Sequence, residues 1–189
     1  MSDNTNAMII LLGRCCRVSF DMINHNLKGK TSLFEWVWSN TLTEVNIIIE
    51  KLINNQPLTS KRMNGHDYIE GTNIITGHYL NKNYDEILSR RAKRFINNIK
   101  GQKKILFIRD DAVSSIKLDE IERFFELIKT INPQLSFKFL LLSESNVYNK
   151  ITYPNLHHEI YNKSLYRSYI NNCFDVGNIR NSNTGDISD

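Results

Sequence analysis

The sequence predicts a single α/β domain, a mainly parallel sheet flanked by helices. Two observations carry this. Short, largely apolar runs ("MIILL" at 8–12, "KILFI" at 104–108, "LSFKFLLL" at 135–142) read as strands buried on both faces, the mark of parallel sheets. Between them lie segments of 12–16 residues with helical apolar spacing, the alternation that builds strand–helix–strand units.

The elements follow in order. Met8–Leu12, ended by Gly13, is the first strand. From Cys16 the apolar residues Phe20, Ile23 and Leu27 recur at helical spacing, and "NLKGK" closes that helix. "TSLFEWVWS" (31–39) is aromatic and irregular. Thr41 and Glu44 form a capping box ahead of a helix carrying Val45, Ile48, Ile49, Leu52 and Ile53. Residues 54–72 are polar and contain glycine, so they read as a long loop. Asn73–Thr76 is a short strand ended by Gly77-His78. Tyr84, Ile87, Leu88, Ala92, Phe95, Ile96 and Ile99 make the clearest helical stripe, with Asp85 and Glu86 in its first turn and Gly101 after its end. "KKILFIRDD" is a strand with a polar exit, and Leu118–Ile131 is a helix stopped by Asn132-Pro133. "LSFKFLLLSES" is a further strand, and His157–Tyr161 a last one. The domain is expected to run from 7 to 177, with the polar residues 178–189 as a disordered tail. The topology expected is Rossmann-like or hydrolase-like, in three layers.

Composition bounds the function. A chain of 189 residues with 41% hydrophobic and 23% charged residues affords an ordinary globular core. A net charge of +4 permits anionic partners without demanding nucleic acid, an unlikely partner since no aromatic-interleaved platform or dedicated nucleic-acid motif is present. Three cysteines, two of them adjacent, argue against a disulfide framework and for a reducing compartment. No secretory signal and no stretch of about 18 apolar residues is evident, so a cytoplasmic, non-membrane protein is expected. Richness in Asn, Ile and Lys is what AT-rich coding produces, as in viral or parasitic genomes, where the compartment would be the host cytoplasm. No Walker, Gly-x-Gly-x-x-Gly or His-Glu-x-x-His pattern is present, so no cofactor and no metal are expected.

In open parallel sheets ligands bind beyond the carboxyl ends of the strands. Those ends read Gly13-Arg14-Cys15-Cys16, Gly77-His78, Arg109-Asp110-Asp111 and Ser143-Glu144-Ser145. If the strands are parallel neighbours, a thiol, an imidazole and carboxylates gather along one rim. Cys16 would sit at the first turn of its helix, where free N–H groups and the helix dipole favour a thiolate, with Arg14 and Arg17 acting in the same sense. Cys15 would point elsewhere and pack. Both cysteines can equally be small buried hydrophobes.

Several stretches resemble a known family. "LLGRCCRVSF" looks like the Leu-Gly-x-x-Cys-x-Val-Ala opening of uncharacterised proteins described as papain-like cysteine peptidases. "LFEW" (Leu33–Trp36) is similar to their Pro-Phe-Asp-Trp motif. "GHY", "SRRAKRF" and "KILFIRDD" resemble later motifs in order and spacing, so that the likeness spans residues 8–145. It implies Cys16 as nucleophile and His78 as base of a cysteine-dependent hydrolase with a peptide or other acyl-bearing substrate. Leu33 replaces the motif's Pro, Glu35 its Asp and Ser19 its Ala. If that Asp orients the histidine, Glu35 does so with one extra methylene. The order strand–Gly–x–x–Cys–helix is closer to the nucleophile placement of α/β hydrolases, with Cys for Ser, than to papain-like folds.

Asp110, Asp111 and Glu35 are thus the candidate orienting carboxylates, and backbone N–H groups after Gly13 a candidate oxyanion site. Gly13, Arg14, Trp36 and Arg91 are candidate substrate contacts. Arg91 falls on the buried stripe of its helix, so it either pairs with a carboxylate (Glu35, Asp110 or Asp111) or holds an anionic substrate group. "SRRAKRFINNIKGQKK" (89–104) holds seven basic residues and no acidic one, the pattern of a solvated helix face and loop, or of a non-catalytic module that binds an anionic ligand or nucleic acid. His157 and His158 lack metal-ligand spacing with Cys173 and face opposite ways on a strand.

Overall fold

The computed structural model describes residues 7–27, 30–76, 83–111, 116–145 and 153–173. Four strands form one parallel sheet, in the order β1 (Met8–Leu11), β6 (Lys104–Asp111), β7 (Ser136–Ser143), β8 (Leu156–Ile160). Alternate residues of the central strand enter different cores. Ile105 and Phe107 face one side, against α2 (Leu42–Ile53), α3 (Tyr84–Gly101) and α4 (Leu118–Ile131). Leu106 and Ile108 face the other, against α1 (Arg17–Asn24) and α5 (Tyr166–Cys173). The domain is therefore an α/β fold with a parallel sheet between helical layers. This is why the two central strands are apolar on both faces over 105–108 and 139–142 rather than alternating.

The larger core is rich in phenylalanine. Phe124 meets Phe107 edge-on at 5.1 Å and Phe139 at 5.3 Å, while Phe125 meets Phe137 at 5.0 Å. Such edge-to-face pairs add about 0.5–1.5 kcal/mol each beyond their buried area. Among the described residues no helix is long and apolar enough to cross a membrane.

Two expectations change. First, α1 buries Val18, Ser19, Asp21 and Met22, whereas Phe20 and Ile23 are exposed. Val18 and Met22, four apart, define the inward face, and Phe20 instead stacks edge-on against Trp36 at 5.0 Å. Second, part of the segment 54–72 is not loop. It folds into a hairpin of β3 (Ser60–Met63) and β4 (His66–Ile69), turned by Asn64 and Gly65 with φ of 51° and 79°. Asn-Gly with both residues left-handed is the favoured two-residue hairpin turn. β4 pairs with β5 (Ile75–Thr76), and β5 with β2 (Val37–Trp38), giving a second, antiparallel sheet in the order β2-β5-β4-β3. The strand before Gly77-His78 therefore belongs to the small sheet, not to the parallel rim.

Candidate functional site

The site is built where β1 gives way to α1. After Leu11 the chain turns through Gly13 and Arg14, both left-handed at φ 76° and 82°. Gly13 is required: a Cβ there would lie 2.8 Å from the Phe34 carbonyl oxygen. Arg14 is a non-glycine in that strained region, held by two bonds to one residue. Its N–H donates to Ser39 Oγ at 3.1 Å, and its carbonyl accepts the Ser39 N–H at 3.2 Å.

Beneath this turn lies Arg109, fully buried. Its guanidinium donates to the Leu12 carbonyl at 2.7 Å, Ser39 Oγ at 3.1 Å and the Ser39 carbonyl at 3.2 Å. It thereby ties the exit of β1 to the exit of β2 and locks the two sheets together. Burial pushes its pKa down to about 10, so it stays charged at neutral pH.

The neighbouring carboxylates are engaged by arginines of the same turn. Asp110, on the α1 side of β6, accepts from Arg17 Nε at 2.8 Å and Arg17 Nη2 at 2.6 Å, a bidentate pair. Arg17 also donates to Glu144 at 2.8 Å, and its guanidinium lies over the Tyr161 ring at 3.8 Å. Burial alone would lower the Arg17 pKa, but the bonds to Asp110 and Glu144 raise it above the ordinary arginine value. Asp111, on the opposite face, sits 3.6 Å from Arg14 and accepts the Ile116 N–H at 3.1 Å. Strand alternation sends the two carboxylates to different layers.

Glu35 is buried and accepts the Ser32 N–H at 2.7 Å. Arg91 is buried on the α3 stripe, as its position in the periodicity implies, and donates to the Glu35 backbone carbonyl at 3.2 Å. Asp110, Asp111, Glu35 and Arg91 all brace the turn or its flank.

The two cysteines differ. Cys15 donates its thiol proton to Asp110 Oδ2 at 3.4 Å. Burial chiefly, with the Asp110 charge and hydrogen bond helping, raises its pKa against the opposing N–H bond from Arg17, which keeps it protonated. Cys16 occupies the N-cap position of α1, where its side chain caps nothing. Both line a pocket of about 270 Å³ together with Trp36, Val37, Trp38, His66 and Ile75.

The second sheet supplies the far wall. Its pairing sets Trp38 opposite Ile75 and Ile75 opposite Tyr68. His66, two residues before Tyr68, shares that face. The sequence reading passes over His66 because it lies in the stretch read as loop. The signal that finds it is Asn64-Gly65, which sets the hairpin and thus the face of the imidazole. Trp36, a candidate from the sequence, does line the pocket; Arg14 stands in the turn behind it.

His78 lies outside the described residues. It follows two places after Thr76, the last residue of β5. At the same rim, toward the β8 edge of the parallel sheet, Ser143 and His158 share a 2.6 Å hydrogen bond, but Ser143 Oγ also donates to the Ser145 carbonyl at 2.6 Å. With its proton so placed, the serine accepts from the imidazole and is not activated as a nucleophile. Burial lowers the pKa of His158, and of His157. Cys173 is buried, its pKa pushed up to about 12 by burial. Among the described residues no group of three or more His, Cys, Asp or Glu side chains stands close enough to hold a metal ion.

No family model, no curated protein and no solved structure matches the chain.

Proposed function

We propose that the protein is a cysteine-dependent hydrolase working by acyl transfer, with Cys16 as nucleophile. The observation that carries the reading is the shared pocket. Cys16 opens α1 at the mouth of a cavity that also contains an imidazole, His66, and is walled by apolar side chains. The sulfur thus lines the same cavity as an imidazole that can take its proton during attack.

The chemistry runs in two steps. The Cys16 sulfur attacks the substrate carbonyl carbon, a C–S bond forms, and the C–O or C–N bond to the leaving group breaks. The thiol proton passes through the histidine to the leaving group. Water then attacks the thioester, the C–S bond breaks, the acid departs and the thiol regains its proton. In the turn itself the Arg14 N–H is taken by Ser39, so oxyanion donors are sought at the amides of Cys15 and Cys16. Cys15 is a poorer nucleophile, since its proton is held toward Asp110.

His66 is the base that the geometry supports, and His78 the one that the resemblance to the papain-like family implies. Single variants distinguish them. Cys16→Ala should lower hydrolysis of an activated ester to the level of the free amino acids, and Cys15→Ser should leave at least a third of it. His66→Gln should cost about 10²–10⁴-fold in kcat if it is the base; a larger loss in His78→Gln, with His66→Gln near wild type, gives the role to His78. Cys16→Ala at wild-type rate would end the reading. A cytoplasmic site of action accords with three free cysteines.

The second reading, a non-catalytic module for an anionic ligand, draws on α3. Glu86, Ser89, Arg90, Lys93, Arg94, Asn97 and Asn98 line a shallow surface groove along that helix. Arg94 donates to the Thr31 carbonyl at 2.8 Å and is thus partly engaged within the fold. Phosphate-dependent binding that weakens steeply with salt and survives Cys16→Ala would favour this module.

A further inference from the structure

The Cys16 pocket has a chemical character of its own. Apart from His66 and the two thiols, its described lining is Trp36, Val37, Trp38 and Ile75, with no lysine, arginine or carboxylate among them. The arginines nearest in sequence are turned away, Arg14 toward Asp111 and Arg17 toward Asp110 and Glu144. The rim is apolar as well: Phe20, 51% exposed, packs against Trp36, and Trp38 is itself 55% exposed. Met63, 40% exposed, is the cross-strand partner of His66. Exposed large apolar side chains gathered round a cavity mark a ligand site rather than scattered surface.

Size narrows the occupant. At about 270 Å³ the pocket lies just below the roughly 300–1,000 Å³ of drug-sized ligand sites. A cavity of that size suits a chain or ring of about six to eight carbons rather than a larger ligand.

We infer that the pocket binds the acyl side of the substrate, and that this acyl group is uncharged and apolar, a medium-length aliphatic chain or a single aromatic ring, presented as an ester or thioester to Cys16. The inference rests on the acyl-transfer reading and deepens it. Trp38 and Ile75 form the walls against which the chain lies. A carboxylate- or ammonium-bearing acyl group would lose its hydration there, and the described lining offers no lysine, arginine or carboxylate to pair with it. The leaving group stays outside, toward solvent, and takes the proton when the carbonyl–oxygen or carbonyl–sulfur bond breaks.

The test uses the full chain and a series of 4-nitrophenyl esters: acetate, butyrate, hexanoate, octanoate, dodecanoate and the singly charged hemisuccinate. The Cys16-dependent kcat/KM should rise about two- to fourfold for each added methylene, reach a maximum near six to eight carbons and fall beyond. Hemisuccinate should lie at least tenfold below butyrate, its uncharged counterpart of equal length. Trp38→Ala should lower hexanoate kcat/KM about tenfold, mainly through KM, and acetate less than twofold. Cys16-dependent turnover that is flat with chain length, or best with acetate or hemisuccinate, overturns this inference and leaves the acyl-transfer reading standing. Loss of all Cys16-dependent turnover overturns that reading instead. The pocket is then read without catalysis: sodium hexanoate should slow iodoacetamide labelling of Cys16 at least fivefold, and sodium succinate should not. Equal protection by both, or by neither, overturns the apolar pocket.

Discussion

Arg17 holds three partners at once: the buried Asp110 carboxylate in a fork, Glu144 and the face of Tyr161. Removing it leaves Asp110, fully buried, without its cation. Breaking such a pair costs roughly 3–5 kcal/mol when both partners are buried, and about 2–3 here because Arg17 is partly exposed. Arg17→Met should therefore lower the urea midpoint sharply. Arg17→Lys should recover only part of it, since an ammonium cannot fork. Gly13→Ala should cost about 2–3 kcal/mol, from a left-handed φ and a Cβ driven toward the Phe34 carbonyl. If either variant unfolds at the wild-type midpoint, the bracing of the turn is wrong. The thiols should also separate. With its pKa pushed up to about 12, Cys173 carries roughly one thiolate in ten thousand molecules at pH 8. Native alkylation should find Cys16 first and Cys173 last.

At the scale of elements, the hairpin β3–β4 decides whether an imidazole reaches the pocket. Replacing Asn64-Gly65 with Ala-Ala places two Cβ-bearing, non-Asn residues at positive φ. It should destabilise the hairpin by about 2 kcal/mol and lower ester hydrolysis more than tenfold, while the melting of the parallel sheet shifts little. Full activity in that variant would remove His66 from the site. The strand end of β7–β8 makes a pH prediction. Burial holds the imidazoles of His157 and His158 below their ordinary value, so as pH falls through about 6.5 the unfolded chain takes up protons that the folded chain does not. Stability should be level above that pH and decline toward pH 5. His158→Gln should flatten the decline, read from urea midpoints at pH 7.5 and 5.5. These elements also explain what the sequence made legible. The long stripe of α3 announced both the helix and the burial of Arg91, because seven apolar positions repeat at one spacing. Two-residue strands such as β2 and β5 carry no periodicity, and a polar hairpin exposed on one face reads as loop unless its Asn-Gly turn is weighed. In α1 only eight residues are helical, too few to separate the Val18–Met22 face that is buried from the Phe20–Ile23 spacing, and Phe20 finds its partner in Trp36 outside the helix.

For the whole molecule, four strands are predicted to end on one rim; β1, β6 and β7 are parallel neighbours, and the strand before Gly77-His78 belongs to the other sheet. The rim does not form an open row of catalytic groups, however. Its carboxylates are paired with Arg14 and Arg17, and the pocket opens instead between the turn after β1 and the small antiparallel sheet. That juxtaposition depends on Arg109 joining the exits of β1 and β2, a contact 70 residues apart that no local pattern announces. Candidate residues at the β1 exit were therefore readable, since a glycine and a cysteine at a strand–helix junction have local meaning. Beyond Trp36, the apolar wall and His66 were not, since only the packing of one sheet on the other brings them together.

The central claim is that Cys16, and not its neighbour, takes the acyl group. The most direct measurement is to mix the protein with 4-nitrophenyl hexanoate, quench in acid within the first turnover and locate the added mass by fragmenting the peptide containing residues 15 and 16. A hexanoyl group on Cys16, retained in Cys15→Ser and lost in Cys16→Ala, is the result expected. A hexanoyl group on Cys15, or no acyl-enzyme alongside steady hydrolysis, would contradict it.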